Sequence, residues 1–183
     1  MKQTLCAALA ALSFAAAPAL AADPAPAAPA AIQATPADVA SVDAILAALY
    51  GTISGPAGQP RDWNRLRSLF MPEGRMAVVG PRPNNAFGIR LMSVDDYIAR
   101  VGPFFAKEGF YESEAARRTE QFGQLVHVFS TYESRHATSE AKPFQRGINS
   151  IQLYHDGSRW YIVSLVWRGE DDKLSLPAAY LAK

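Results

Sequence analysis

Three histidines, at positions 127, 136 and 155, are the side chains of this chain best suited to exchange a proton near neutral pH. No two of them have the short separations that zinc-type ligands use, so no metal site is read from them. His155 stands in a His-Asp-Gly-Ser turn sequence, which puts it at the surface. His127 and His136 are nine residues apart, and an odd separation in a regular strand sends two side chains to opposite faces. At most one of them faces an interior unless a bulge intervenes. His127 lies between Val126 and Val128. It reads either as a buried general base or as a core histidine with one satisfied hydrogen bond. On its side of a strand would stand Phe129, Thr131, Glu133 and Arg135. Glu133 is six residues on, roughly 20 Å at about 3.3 Å per residue, too far for a direct dyad. Glu133 and Arg135 are close enough to pair with each other, which at an exposed strand end contributes little.

Fewer groups offer a second role. Tyr97 falls on a helical pattern and either points its hydroxyl inward or is a core residue with its tip at the surface. Asn149 lies mid-strand among Ile148, Ser150 and Ile151, where an amide needs partners that a ligand or a neighbouring side chain would supply. Trp63 and Trp167 are candidate pocket walls or ordinary core aromatics. Arg117 and Arg118 are adjacent and must point opposite ways, as on a solvated face. Gly-x-Ser-x-Gly, Gly-x-Gly-x-x-Gly and phosphate-loop patterns are absent. No cofactor is expected.

The N-terminus is not part of a core. Lys2, an apolar run from 5 to 17 and a small-x-small sequence at 19–21 form the layout of a secretory signal, with cleavage after Ala21. The run is shorter than the ~20 residues a membrane span needs. Export to the periplasm or the medium follows, with no membrane attachment after cleavage. The single cysteine, Cys6, leaves with the signal, so the mature chain has no disulfide, thiol nucleophile or thiolate metal site. The chain carries 18 Lys and Arg against 17 Asp and Glu; loss of Lys2 makes them equal. Such a balance gives no attraction to nucleic acid or an anionic surface. Residues 22–35 are an Ala/Pro-rich spacer.

The domain is read as 36–169, followed by a loosely held tail, 170–183. Apolar residues 39, 42, 45, 46 and 49 predict a first helix over 36–50. Asp62 caps a short second helix that ends at the Met-Pro-Glu-Gly of 71–74. Short strands follow at 75–79 and 88–92. Ser93 with Asp96 resembles a capping box for a third helix, which Pro103 kinks or ends. Strands are then expected over 110–122, 124–136, 144–154 and 159–167, the last two joined by an Asp-Gly turn. Helices followed by a run of antiparallel strands give an α+β layout.

Three segments carry a resemblance: Asp62-Trp63-Asn64-Arg65-Leu66-Arg67-Ser68-Leu69-Phe70, Met92-Ser93-Val94-Asp95-Asp96-Tyr97-Ile98, and the closing hairpin from Gly147 to Ser164. In this order and spacing the chain resembles the nuclear transport factor 2-like superfamily, which includes ketosteroid isomerase, scytalone dehydratase and SnoaL-type polyketide cyclases. The resemblance implies three N-terminal helices in the concave face of a strongly curved, mainly antiparallel sheet, a cystatin-like cone with a pocket at its open end. Enzymes of that superfamily move a proton next to a carbonyl in a mostly apolar pocket. The short strands here offer Arg75 and Arg90 rather than an evident catalytic Asp.

The leading expectation is therefore binding of a small, apolar or carbonyl-containing molecule, with Trp63, Phe129, Glu133, Arg135 and Trp167 at the pocket. The alternative is a cofactor-free isomerase, dehydratase or cyclase with His127 as base and Tyr97 or Asn149 polarising a carbonyl. A third is a non-catalytic domain that forms a homodimer through its sheet. That last reading expects no cavity near the ~300 Å³ of ordinary ligand sites.

Overall fold

Residues of period two dominate the second half of the chain, and their alternation sorts each strand into a core face and an outer face. The computed structural model describes residues 32–83 and 86–181. The expected signal, its cleavage point and most of the Ala/Pro spacer lie outside those residues. Six strands form one open, curved sheet: β1 (Phe70–Pro81), β2 (Phe87–Met92), β3 (Tyr111–Phe122), β4 (Leu125–Arg135), β5 (Gln145–His155) and β6 (Trp160–Gly169). Their order is β2-β1-β6-β5-β4-β3. All pairings are antiparallel except β1 with β6, so the sheet is mixed.

Three helices pack on its inner face: α1 (Val42–Ile53), α2 (Trp63–Leu69) and α3 (Val94–Phe105). Each begins at a residue whose side chain accepts a backbone N–H: Ser41 from Ala44, Asp62 from Arg65, Ser93 from Asp96. At Ser93 the box is reciprocal, with the Asp96 carboxylate taking the Ser93 N–H at 3.0 Å. The expected single helix over 36–50 is instead a 3-10 turn (Pro36–Val39) followed by α1, because Ser41 starts a new cap. Pro103 neither breaks nor ends α3. It stands in the last turn, where a missing N–H frees one carbonyl, and the helix runs on to Phe105. Helix α2 ends at Leu69, just before the expected stop at 71–74, but that segment is not a turn: β1 leaves α2 at Phe70 and passes through it, with a register shift between Phe70 and Arg75.

Ile45, Leu66 and Leu69 from the helices meet Val126, Val128, Ile151, Leu153 and Ile162 from the strands, and all eight are fully buried. Each such side chain contributes roughly 1.5–3 kcal/mol relative to exposure. Inner-face residues run in register across the sheet. One row is Ser130, Asn149, Trp167 and Val78; the next carries Tyr132, Gly147 and Gly169. A Cβ on Gly147 would lie 2.6 Å from the Tyr132 hydroxyl and 2.3 Å from the Arg168 carbonyl oxygen. That absence of a side chain lets the Tyr132 ring lie over the strand.

The C-terminal segment is docked rather than loose. Thr131 Oγ1 donates to the Tyr180 carbonyl at 2.6 Å, Arg118 reaches the Ala179 carbonyl at 3.1 Å, and the Tyr180 ring meets Phe129 edge-on at 5.1 Å. This strip crosses the outer face of β3 and β4. Arg117 turns the other way and pairs with Glu114 (2.8 Å) and Asp43 (2.6 Å); both arginines are exposed, as expected of a solvated pair.

Two glycine substitutions should separate helix propensity from close packing. Gly51 is exposed in α1 with nothing near its Cβ position, so Gly51→Ala should stabilise by about 0.5–1 kcal/mol. Gly147→Ala should destabilise by roughly 1–3 kcal/mol, as overpacking does. Urea midpoints of the two variants check both signs.

Candidate functional site

Helix α1 and strand β3 are tied together at their ends, and a cavity opens beside the tie. Ser54, the C-cap of α1, donates from Oγ to the Tyr50 carbonyl at 2.7 Å and accepts the Glu112 N–H at 2.9 Å. One residue further on, Gly55 and Phe110 exchange two backbone hydrogen bonds at 2.7 and 3.0 Å. The Glu112 side chain thereby enters one space, which Tyr50 does not line. Its volume is about 200 Å³. Leu49 and Ile53 of α1 form one wall. Tyr97, Val101, Phe104 and Phe105 of α3 form another. Met76, Leu165 and Trp167 line the sheet side, and Phe110 and Phe144 complete the enclosure. No Lys or Arg lines it.

One carboxyl group enters this apolar space. Glu112 Oε2 accepts from Ser134 Oγ at 2.9 Å, and Oε1 accepts from Asn149 Nδ2 at 3.4 Å. Burial pushes its pKa up to about 7, and the Ser134 and Asn149 bonds hold it from rising further. The residue as a whole is only partly buried, since β3 is an edge strand and the residue lines the cavity, but its carboxylate has no cation beside it. Burial also pushes up the hydroxyls of Tyr50, Tyr97 and Tyr132, which stay neutral across the physiological range.

A chain of hydrogen bonds leads away from the carboxyl. Asn149 Nδ2 also donates to the Tyr50 hydroxyl at 3.1 Å, Tyr50 Oη and Ser130 Oγ are 2.7 Å apart, and Ser130 Oγ donates to Glu114 Oε2. Glu114 is the carboxylate paired with Arg117. A register shift between Glu114 and Ala116 sets Glu112, Glu114 and Arg117 all on the inner face, opposite Ser134, Tyr132 and Ser130. Without that extra residue Arg117 would face outward and Glu114 would lose its partner.

Of the residues expected at the site, Tyr97, Asn149 and Trp167 line the cavity, with the Tyr97 and Trp167 rings edge-to-face at 6.1 Å. Trp63 stands behind the wall, stacked on Phe105 at 6.0 Å. His127, Phe129, Glu133 and Arg135 are on the outer face of β4, turned away from the cavity. His127 Nε2 meets Ser150 Oγ at 3.1 Å and its Nδ1 is 3.8 Å from Glu120. Phe129 lies under Tyr180, and Glu133 pairs with Arg135 at 2.7 Å. The reason is alternation: Val126 and Val128 are core, so the residue between them points outward. The inner face of β4 continues instead through Ser130, Tyr132 and Ser134. Those residues, with Tyr50 and Glu112, were missed. The signal for the β4 set was the period-two series Val126, Val128, Ser130, Tyr132, Ser134. Glu112 had none, since a carboxylate in a polar edge strand reads as solvated. Among the described residues no group of three or more His, Cys, Asp or Glu converges to hold a metal ion.

No family model matches the chain, and no curated protein matches it significantly. Solved structures are similar in fold. A Novosphingobium aromaticivorans protein assigned as the beta subunit of an aromatic-ring-hydroxylating dioxygenase is 11% identical, with a TM-score of 0.47 over 66% of this chain and 82% of that one. An NTF-2 like protein of unknown function from Silicibacter pomeroyi is 18% identical, with a TM-score of 0.44 over 71% and 99%. A Kribbella flavida protein assigned as a ketosteroid isomerase is 11% identical, with a TM-score of 0.42 over 78% and 87%. Likenesses at this level say nothing of activity. Three helices held in the concavity of an open, curved, six-stranded mixed sheet give this chain the α+β cone that the sequence leads one to expect.

Proposed function

We propose that the cone binds a small, largely apolar molecule, with Glu112 as the polar anchor at the end of the cavity. The single observation that carries this reading is the Glu112 carboxyl itself: it lines an apolar space with two weakly acidic donors and no cation. A purely structural carboxylate placed so would be costly unless fully paired. The cavity, about 200 Å³, is below the ~300 Å³ common for ligand sites, which is what the non-catalytic reading expects; a binding role therefore requires a compact ligand. Export under the N-terminal signal is part of the same proposal, and N-terminal sequencing of the mature chain tests it by the expected start at Ala22.

Native mass spectrometry of the protein purified from its own cells should show an added mass of one small organic molecule, lost in Leu165→Trp, which fills the space. A clean apo mass in the wild type, together with no uptake of small apolar probes, would sink the binding reading. His127→Ala should leave the adduct unchanged, because His127 faces the other way.

A second reading is favoured by the Glu112 pKa near neutrality. In it Glu112 is the base of a cofactor-free proton transfer. Its carboxylate takes a proton from carbon next to a carbonyl, the C–H pair moves to form the enolate, and a Tyr97 or Tyr132 hydroxyl donates to the oxygen. Protonated Glu112 then returns the proton. Deuterium exchange into the α-positions of cyclohexanone is the probe. The rate should rise with pH through about 7 and fall roughly 10²–10⁴-fold in Glu112→Gln. Equal exchange by both proteins would remove the catalytic reading and leave the binding one.

Stability gives an independent check on the Glu112 environment. Its folded pKa is about 7 against the 4.5 of an exposed glutamate, so between these pH values the folded state holds more protons than the unfolded. Stability therefore falls as pH rises through that window, by on the order of 3 kcal/mol for a shift of this size. Below pH 4.5 the group is protonated in both states and contributes no pH dependence. Glu112→Gln should flatten the decline; an unaltered denaturation profile from pH 4 to 8 would contradict the buried, unpaired carboxyl.

A further inference from the structure

Three polar atoms of buried residues open onto the cavity without a protein partner. Tyr97, Tyr132 and Asn149 are each less than a tenth exposed, and each lines the cavity. The two phenol hydroxyls make no hydrogen bond among the described residues, and neither does Asn149 Oδ1. Yet no buried polar side-chain atom is orphaned there, so these atoms are in contact with open space rather than sealed in packing. For residues on the inner face, that space is the cavity.

The direction in which Asn149 points is decided remotely. Glu114, an ionised carboxylate beside Arg117, can only accept, so Ser130 Oγ donates to it. The Ser130 oxygen then accepts from Tyr50, and the Tyr50 oxygen accepts from the Asn149 amide. The second amide proton faces Glu112. With both protons used, the Asn149 carbonyl oxygen is left as an acceptor for whatever enters. The order of donors along this chain leaves no alternative flip.

We propose that the cavity selects an uncharged, single-ring aromatic compound bearing a hydroxyl or amine donor, and that the Glu114–Ser130–Tyr50 chain is the positioning device that sets this preference through Asn149. The proposal rests on the reading of the cavity as a binding site and names the ligand class for it. Size supports one ring: an apolar cavity of about 150 Å³ holds a benzene molecule, and this one is about 200 Å³. The walls supply ring faces and edges from Tyr97, Phe105, Phe110 and Trp167, which suit an inserted aromatic. Charge is disfavoured in either sign. An anion would enter a space without a cation and beside a carboxyl. A cation would give up its hydration and would also require Glu112 to lose the proton that burial favours keeping. A donor on the ring, by contrast, finds the Asn149 oxygen and the Glu112 carboxyl as acceptors, and leaving such acceptors unpaired costs affinity.

Calorimetric titration with phenol, toluene, benzoate, benzylamine and 1-naphthol tests this. Phenol is expected to bind at least about tenfold more tightly than toluene, with benzoate, benzylamine and 1-naphthol weaker than phenol. In Ser130→Ala, which breaks the chain without touching the cavity wall, the phenol advantage over toluene should shrink to about threefold or less. Glu114→Gln keeps an acceptor for the Ser130 hydroxyl and should keep the advantage. Toluene binding as tightly as phenol overturns the proposal while the binding reading stands, and so does tighter binding of benzylamine or 1-naphthol. An undiminished phenol advantage in Ser130→Ala overturns the positioning role. Binding of none of the five by the wild-type protein overturns both this proposal and the binding reading.

Discussion

The Ser54 hydroxyl bonds the backbone of two elements at once, and the interior depends on it. It takes up the last turn of α1 through the Tyr50 carbonyl and the edge strand β3 through the Glu112 amide. A helix and an edge strand share no backbone ladder, so the clip and the adjacent Gly55–Phe110 backbone pair set a spacing that side-chain packing alone would leave free to rotate. With it, Tyr50 and Glu112 come close enough for one amide, that of Asn149, to donate to both. Arg61 reinforces the same corner. Its buried guanidinium donates to the carbonyls of Ile53, Gly55, Pro56 and Gln59, satisfying backbone oxygens in the turn that follows α1.

From that corner the polar interior follows. Two glutamates two residues apart on one strand face have been given different surroundings. Glu114 lies toward Arg117 and Asp43 at the rim, where its charge is compensated. Glu112 lies among aromatic walls with only a serine and an amide to hold it. The first is a fixed acceptor and orders the chain of hydroxyls between the two; the second can gain or lose a proton near neutrality. A network of this kind has consequences beyond its pairwise energies, because each member determines which way its neighbour donates.

The outer face shows what the same alternation does without a cavity. Phe129 and Thr131 meet the C-terminal strip at Tyr180, and His127 lies beside Phe129. At the far edge Phe87, Ile89 and Leu91 of β2 stand exposed in a row, where they are neighbours on one face of an edge strand. The same histidine that reads in isolation as a base is here a partly buried residue with a serine and a glutamate beside it.

Much of this was legible in the order of residues. The caps at Asp62 and Ser93, the Asp-Gly turn before Arg159 and the period-two strands required only local chemistry and periodicity, and both are local properties; the cone came from the family resemblance. Tyr97, Asn149 and Trp167 could be named as inward candidates because they interrupt apolar patterns. Which face of β4 looks inward was decided by the register against β3 and β5, and a shift of one residue would exchange His127 for Ser130. Glu112 was out of reach for a different reason. Its raised pKa comes from burial, and burial is the sum of walls brought from α1, α3, β1, β4, β5 and β6, most of them distant from it in the chain. Sequence determined the elements and their order; tertiary structure alone decided which carboxyl would lose its water, because desolvation is a property of what surrounds a group and not of the group itself.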